Sequence, residues 1–240
     1  MAATVADRLA AVRERMALAC LRCGRSPDEV TLVAVSKRVP EELVIDACAA
    51  GQWELGENRV ADALARSESL PELLRLRSLD PSLLRWHFIG HLQRNKAGKA
   101  AGRFSLVHGV DSLALAERLS LPAQQRRARE AVLLEVNISG EPQKNGVDPE
   151  AAVELAVAVA ALPGIDLRGM MGMARRDDEE AGLRRSFARL RRLCEDARTA
   201  SGFPLPVLSM GMSADFEAAI AEGSTLVRVG TAIFGPRQEG

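Results

Sequence analysis

The chain has 240 residues and a formal net charge of zero, because 32 basic residues are matched by 32 acidic ones. No excess of either charge points to nucleic acid, an anionic membrane surface or a highly charged substrate, so we expect none of these as partners. The length is close to the roughly 250 residues of a one-domain (β/α)8 barrel. Hydrophobic residues make up 47% of the chain, which is enough to fill a large core.

The first element in chain order is an amphipathic helix over about residues 4–23. Thr4 and Asp7 are typical of a capping box, and Gly24 is typical of a helix end. The apolar residues that recur at helical spacing are Val5, Leu9, Val12, Met16 and Cys20. Cys20 and Cys23 form a CxxC motif inside this helix, so we interpret them as two partly buried thiols on one face rather than a redox site.

Eight short apolar segments then alternate with longer amphipathic ones. We predict strands at residues 30–36, 53–55, 86–89, 105–110, 132–137, 167–170, 207–210 and 226–229. The helices between them include residues 40–50, 149–161 and 179–200. Asp148 is the expected N-cap of the second of these helices.

This alternation requires a crossover between successive strands and therefore predicts parallel pairing. We predict one α/β domain over residues 1–240, a closed (β/α)8 (TIM) barrel with an extra N-terminal helix. An open doubly wound sheet is the alternative. Its GxGxxG nucleotide motif is missing, because residues 35–37 occupy that place after the first strand.

No signal peptide, membrane helix or disulfide scaffold is expected. The N-terminus lacks a long apolar region with a cleavage site, and no run approaches about 18 apolar residues. Four cysteines are few for a disulfide framework. We therefore predict a cytoplasmic protein.

Lys37 directly follows the first strand, at the end of a barrel strand where functional residues lie. Removal from water disfavours the ammonium form of lysine, and a neutral amine is what Schiff-base chemistry requires. A solvated lysine at a strand end is the alternative, and Lys37 taken alone favours it.

The ends of the last two strands suit an anion. Gly211 and Ser213 follow the seventh strand and precede a helix, where a glycine lets a ligand approach and free N–H groups attract phosphate. Gly230 and Thr231 follow the eighth strand, and loops after these two strands commonly hold phosphate in such barrels. Taken singly, Ser213 could be a helix N-cap, and the Gly230 pair a turn. Together with a lysine on the first strand, these loops predict a phosphorylated aldehyde or ketone as ligand.

Five segments resemble the pyridoxal phosphate homeostasis protein family. They are VAVSK (33–37), GEN (56–58), HFIGHLQRNK (87–96), LSMGMSAD (208–215) and VRVGTAIFG (227–235). The match runs in order from about Val30 to Gly235. This family resembles the barrel domain of fold-type III pyridoxal 5′-phosphate (PLP) enzymes such as alanine racemase, so the resemblance implies a fold-type III PLP-binding barrel with PLP as its cofactor.

The resemblance implies that Lys37 holds PLP as a Schiff base. The other positions that it assigns to the cofactor are Asn58 near the ring, Arg228 near the pyridine nitrogen, and Ser213, Gly230 and Thr231 around the phosphate. An ion pair with a carboxylate such as Glu222 is the alternative for Arg228.

The sequence also departs from the family pattern. Members often carry an aromatic residue where this chain has Arg59, and the chain contains no tyrosine. His87 and His91 have HxxxH spacing, but the residues between them are typical of a strand, so the rings would not share a helix face. We therefore predict no metal site. Residues 144–146 (KNG) are interpreted as a turn without an assigned role.

Three functions compete. A fold-type III racemase or decarboxylase needs two opposed acid/base groups, but this chain has no tyrosine and its cysteines fall in helical segments. A cofactor-free Schiff-base aldolase lacks an obvious acid/base pair near Lys37. We therefore predict a PLP carrier or buffer in intracellular PLP homeostasis that does not convert amino acids. Its expected partners are PLP and PLP-dependent apoenzymes, and its expected state is a monomer or weak dimer.

Overall fold

The computed structural model describes residues 3–175 and 177–236. Within them, eight strands form a closed barrel in which every neighbouring pair is parallel. The strands are β1 (Thr31–Val35), β2 (Glu54–Glu57), β3 (Arg85–Phe88), β4 (Leu106–Val110), β5 (Glu130–Val136), β6 (Ile165–Gly172), β7 (Val207–Ser209) and β8 (Leu226–Val229). The predicted (β/α)8 barrel is confirmed, and the open doubly wound alternative is wrong. That residues 1–240 form a single domain stays a prediction.

Helices precede, connect and follow these strands. In the described chain they are α1 (Val5–Arg22), α2 (Glu41–Ala49), α3 (Val60–Leu76), α4 (Ala97–Ala100), α5 (Leu113–Gln125), α6 (Ala152–Ala160), α7 (Glu180–Ser201), α8 (Phe216–Ala221) and α9 (Thr231–Phe234). The predicted helix at 149–161 begins as a 3-10 turn before α6. Asp148 stands at the N-cap position of that turn, but its side chain makes no capping hydrogen bond.

The largest differences from the predicted strands concern β2 and β6. The first extends to Glu57, which pairs with Phe88 across the sheet. The second starts earlier and ends later than its apolar core, because its whole length pairs with the long β5. In both cases neighbouring strands, rather than local hydrophobicity, decide where the strand ends.

The N-terminal helix α1 is confirmed with its capping box. Asp7 N–H donates to Thr4 Oγ1 (3.1 Å), and Thr4 N–H donates to the Asp7 carboxylate (2.9 Å). Arg8 Nε donates to the carbonyl of Ile233 in α9 (2.6 Å), and Arg13 donates to the carbonyl of Ala50 after α2 (2.9 Å). The helix therefore joins the first and the last β/α units of the barrel.

The cysteines lie on the outer helices. Cys20, Cys48 and Cys194 are buried, whereas Cys23 at the C-cap of α1 is exposed, so the expected pair of partly buried thiols on one face is wrong. Among the described residues, no helix combines the length and apolarity that crossing a bilayer requires.

The barrel interior has two chemically different layers. An apolar layer consists of Val33, Leu106, Leu133, Met171 and Leu226. Buried polar side chains also point into the interior, namely His87, His108, Glu135, Ser209 and Arg228. Apolar clusters between the strands and the surrounding helices supply the rest of the core. A barrel interior is normally filled by apolar side chains. These five buried polar side chains therefore need hydrogen-bond partners within the barrel.

Candidate functional site

Lys37 lies half-buried in the turn after β1, at the carboxyl end of the barrel strands. The register pairs Val35 with Gly56, so the chain ends of β1 and β2 bring Lys37 and Asn58 side by side. Both line a cavity of about 130 Å3, together with Arg38, Arg59 and Asp62. The structure thus places the predicted lysine in a cavity rather than on an open surface.

Arg66 on α3 fixes the loop that carries Lys37. Its guanidinium donates to the carbonyls of Ser36 (2.8 Å) and Val39 (2.7 Å), which flank Lys37. It also lies 3.2 Å from the Glu57 carboxylate, to which Ser36 Oγ donates at 2.8 Å. Burial raises the pKa of Glu57, and the hydrogen bond from Ser36 and the charge of Arg66 offset part of that rise. One arginine therefore holds the main chain on both sides of the lysine.

The loops after β7 and β8 meet at Ser213. Its Oγ accepts from the N–H groups of Gly230 (3.3 Å) and Ala232 (3.5 Å), so the hydroxyl caps α9 across two loops. The alternative of a local N-cap is wrong, because α8 begins at Phe216 with Asp215 at its N-cap position. Thr231 is the exposed first residue of α9, next to these N–H groups. Three residues predicted around a phosphate therefore lie together.

Gly211 has a packing role that the sequence did not indicate. It has a positive φ of 97°, and an added Cβ would lie 2.7 Å from the Cβ of Ala219 and 2.9 Å from the Cα of Phe216. The glycine is required because α8 packs closely against this turn. The expectation that it also lets a ligand approach stays a prediction.

Arg228 is buried in the barrel interior, with 4% of its surface exposed. Its guanidinium donates to Ser209 Oγ (2.5 Å) and to the carbonyl of Gly172 (3.2 Å). The alternative ion pair with Glu222 is wrong, since that carboxylate accepts from Arg184 on α7 (2.8 Å). Burial lowers the pKa of Arg228 to about 10, which still leaves the side chain charged at neutral pH.

A chain of hydrogen bonds continues from Arg228 through the barrel. Ser209 Oγ lies 2.9 Å from His108 Nδ1, His108 Nε2 lies 2.9 Å from His87 Nδ1, and His87 Nε2 lies 2.7 Å from the Glu54 carboxylate. Glu54 is the first residue of β2, so the chain runs from the site to the amino end of the barrel. Burial, with the nearby His87 and Arg228, lowers the pKa of His108 well below its usual value.

Glu135 on β5 is the acid/base group that sequence reasoning missed. Its carboxyl is buried, with 3% of the residue exposed, and its Oε2 has no hydrogen-bond partner among the described residues. Burial raises its pKa to about 7; Asp111 adds to the rise and Arg228 opposes it. The only sequence signal was an acidic residue between the apolar residues Leu134 and Val136.

The two histidines of the HxxxH segment have separate surroundings. His87 is buried in the barrel interior, whereas His91 is exposed and its Nδ1 lies 3.3 Å from the Asp111 carboxylate. Within residues 3–175 and 177–236, no three His, Cys, Asp or Glu side chains are arranged to hold a metal ion.

The similarity to known proteins agrees with this geometry. A sequence profile of the family described as alanine racemase, N-terminal domain, matches residues 8–238. The pyridoxal phosphate homeostasis protein of Pseudomonas aeruginosa is 43% identical over 237 residues, which cover 99% of this chain and 97% of that protein. This chain belongs to the pyridoxal phosphate homeostasis protein family. The predicted family is thus confirmed.

Solved structures support the family and the fold. The structure of PipY from Synechococcus elongatus with PLP bound has a TM-score of 0.81 and 36% identity, covering 97% of this chain and 100% of that one. Alanine racemase from Corynebacterium glutamicum has a TM-score of 0.66 and 20% identity, covering 97% of this chain and 62% of that one. The second likeness shows the fold alone, and confirms the predicted racemase-like barrel.

Proposed function

We propose that this member of the pyridoxal phosphate homeostasis protein family binds PLP as a Schiff base on Lys37 and carries or buffers it without converting amino acids. The observation that carries the proposal is the shared position of two features. Lys37 follows β1, and the Ser213–Gly230 contact lies at the end of the neighbouring β8. A reactive aldehyde and a phosphate on one small molecule would reach both.

The residues at the site fit such a molecule. The Ser213 hydroxyl accepts from the N–H groups of Gly230 and Ala232 and keeps its own proton, so it presents a donor to a phosphate beside the Thr231 hydroxyl. Asn58 shares the cavity of Lys37 and would contact the ring. The unpartnered Glu135 carboxyl and the buried Arg228 provide polar groups below the mouth. When bound, PLP supplies an electron sink to amino-acid chemistry.

The absence of amino-acid conversion is supported by the charge of Arg228. We expect its guanidinium to lie near the pyridine nitrogen, where a fixed positive charge opposes protonation of that nitrogen. The electron sink works best with this nitrogen protonated. A racemase with an arginine there still needs two opposed acid/base groups, and the buried Glu135 carboxyl is a candidate for one of them.

A cysteine does not supply the second. Burial raises the pKa of Cys48 to about 12 and that of Cys194 to about 11, and both lie on helices outside the barrel. Cys23 is exposed at the end of α1, also outside the barrel. These positions disfavour the racemase alternative. Asp62 lines the Lys37 cavity and is the nearest candidate acid for the aldolase alternative, which visible absorption by the purified protein would exclude.

Borohydride reduction followed by peptide mapping tests the site. The chain has four lysines, Lys37, Lys96, Lys99 and Lys144, so the labelled position can be assigned without ambiguity. We expect the pyridoxyl group on Lys37, and loss of the visible band in Lys37→Ala. A label on another lysine with Lys37 unmodified would refute the assignment.

Proton exchange tests the absence of catalysis. The PLP-loaded protein is incubated in deuterated water with both enantiomers of several amino acids, and exchange of the α-proton is followed by NMR. We expect no exchange at enzymatic rates. Exchange on the order of 1 s⁻¹ or faster would overturn the carrier function and favour the racemase. In that case Glu135→Gln should abolish it.

The partners that we propose are PLP-dependent apoenzymes in the cytoplasm, served by a monomer or weak dimer. The half-buried position of Lys37 at the open end of the barrel supports release to another protein. Reactivation of an apoenzyme by the loaded protein is measured with and without a PLP scavenger that captures only free cofactor. A rate that the scavenger leaves unchanged would support direct transfer, whereas a rate that falls to zero would contradict it.

A further inference from the structure

The segment at 87–96 forms one side of a second cavity, which the Lys37 site does not use. This cavity has a volume of about 530 Å3, within the range of small-molecule sites. Its lining residues are Asn58, Arg59, Val60, Ala61, Leu64, Phe88, His91, Gln93, Lys96 and Lys99. Asn58 and Arg59 also line the Lys37 cavity, so the two cavities adjoin.

Close backbone contacts fix this side of the barrel mouth. A Cβ on Gly90 would lie 2.4 Å from the carbonyl oxygen of Asn58, and one on Gly109 would lie 2.3 Å from the carbonyl oxygen of Gly90. A side chain at Gly90 would push the ends of β2 and β3 apart, and one at Gly109 would push the ends of β3 and β4 apart. The main chain is therefore tightly packed beside Asn58, which lines both cavities.

The cavity combines an apolar floor with a cationic rim. Val60 and Phe88 are buried at its floor, whereas Arg59, Lys96 and Lys99 are exposed around it. None of its lining residues is acidic. In the described parts of the chain, no carboxylate forms an ion pair with any of these three cations. Three uncompensated charges around one cavity favour an anionic ligand.

The choice of cation is unusual for this chain. Only four of its 32 basic residues are lysines, and two of those four line this cavity. The ammonium group of lysine is a compact charge that binds phosphate oxygens as a point charge, whereas arginine favours planar two-point contacts.

We propose that this cavity is a second binding site, for a flat organic phosphate. Its ring would cover the apolar floor beside Leu64 and Phe88, and its phosphate would lie between Lys96 and Lys99. The choice of a phosphorylated pyridine as the ligand rests on the proposed function, because such a molecule leaving Lys37 meets this cavity next.

Calorimetric titration with pyridoxine 5′-phosphate tests the site, because this probe has no aldehyde and does not attach to lysine. We expect two molecules per chain in the wild type. The double variant Lys96→Met/Lys99→Met should weaken one of them by roughly tenfold or more for each ammonium group removed. Ser213→Ala/Thr231→Ala should weaken the other. Pyridoxine without phosphate should lose the lysine-dependent event.

The matched control is Arg77→Met/Arg103→Met. It removes two exposed charges that precede β3 and β4, at the opposite end of the barrel. It should keep both binding events. An unchanged titration of the lysine variant would overturn the proposal, as would an equal loss in the control. If PLP gives no visible band, the Lys37 assignment is overturned, whereas the titration result for the second cavity still holds.

Discussion

His87 and His108, on the neighbouring strands β3 and β4, share one hydrogen bond of 2.9 Å between Nδ1 of the first ring and Nε2 of the second. Arginine only donates, so Ser209 Oγ accepts from Arg228 and its own proton points to His108 Nδ1. With both rings neutral, His108 Nε2 then donates to His87, and His87 Nε2 donates to Glu54. The chain therefore has one consistent direction, which orients the Arg228 guanidinium.

This assignment predicts that both rings carry their proton on Nε2. Nitrogen-detected NMR of the imidazoles should show that tautomer for His87 and His108. His108 should not titrate between about pH 6 and about pH 8, because its pKa is lowered by burial. A proton on Nδ1 of His108 would contradict the assignment.

The raised pKa of Glu135 predicts a pH-dependent stability. Its folded pKa is about 7, whereas an unperturbed glutamate lies near 4.3, so the folded state holds a proton that the unfolded state has lost. Its favourable contribution is therefore full below about pH 4 and is lost as the pH rises through 7. The loss amounts to at most about 4 kcal/mol in the free energy of unfolding.

Denaturant unfolding of the PLP-free wild type and Glu135→Gln measures this effect. The difference between the two should decline from about pH 4.5 to about pH 7.5, because the variant has no proton to lose there. The wild type must be compared with the variant because the lowered pKa of His108 makes stability rise with pH near 6.5, opposite to the effect of Glu135. Both proteins contain His108, so its effect is common to them. A constant difference across this range would contradict the pKa of Glu135.

Arg66→Met should impair the Lys37 loop. The change leaves the carbonyls of Ser36 and Val39 without their donor and the buried Glu57 carboxylate without its ion pair. We expect a loss of at least about 2 kcal/mol in unfolding free energy, together with weaker PLP binding seen in the visible band. Arg75→Met, an exposed change on the same helix, is the control and should alter neither. Unchanged PLP affinity in Arg66→Met would show that the hydrogen bonds of Arg66 to this loop do not position Lys37.

Ser213→Ala/Thr231→Ala should weaken PLP more than pyridoxal. A hydrogen bond to a charged group contributes about 1.5–3 kcal/mol, so removing each hydroxyl from the phosphate site should reduce affinity roughly ten- to hundredfold. Pyridoxal lacks the phosphate and serves as the matched ligand. Equal losses for the two ligands would mean that the hydroxyls support the loops after β7 and β8 without binding the phosphate.

The order of strands and helices along the chain could be predicted because local patterns of hydrophobic residues indicate each element. Each strand had an apolar run, and α1 was indicated by helical spacing and by the Thr4–Asp7 capping box. The ends of β2 and β6 could not be predicted, since pairing with neighbouring strands decides them. Gly211 illustrates the same limit, because its need for a small residue comes from α8 packing behind it.

The sequence could predict where Lys37 and Gly230 lie, because both stand directly at strand ends; their roles toward a ligand stay predictions. The supporting groups could not be predicted. Arg66 lies in the middle of a helix pattern with no motif around it, and its role depends on where α3 packs. The Glu54 to Arg228 chain joins residues from five strands, so no spacing along the sequence could reveal it. Such groups become visible only through three-dimensional proximity.

The position of α1 has a consequence for how the chain assembles. Among the described helices, α1 leaves the ribosome first, whereas α8 and α9, two of the helices that cover its apolar face, leave it last. Contacts between distant parts of a chain form slowly, and an uncovered apolar face favours aggregation in the meantime. Arg8 then donates a hydrogen bond to Ile233 in α9, the helix that begins with Thr231. The candidate phosphate site is thus completed in the same late step in which α1 meets α9.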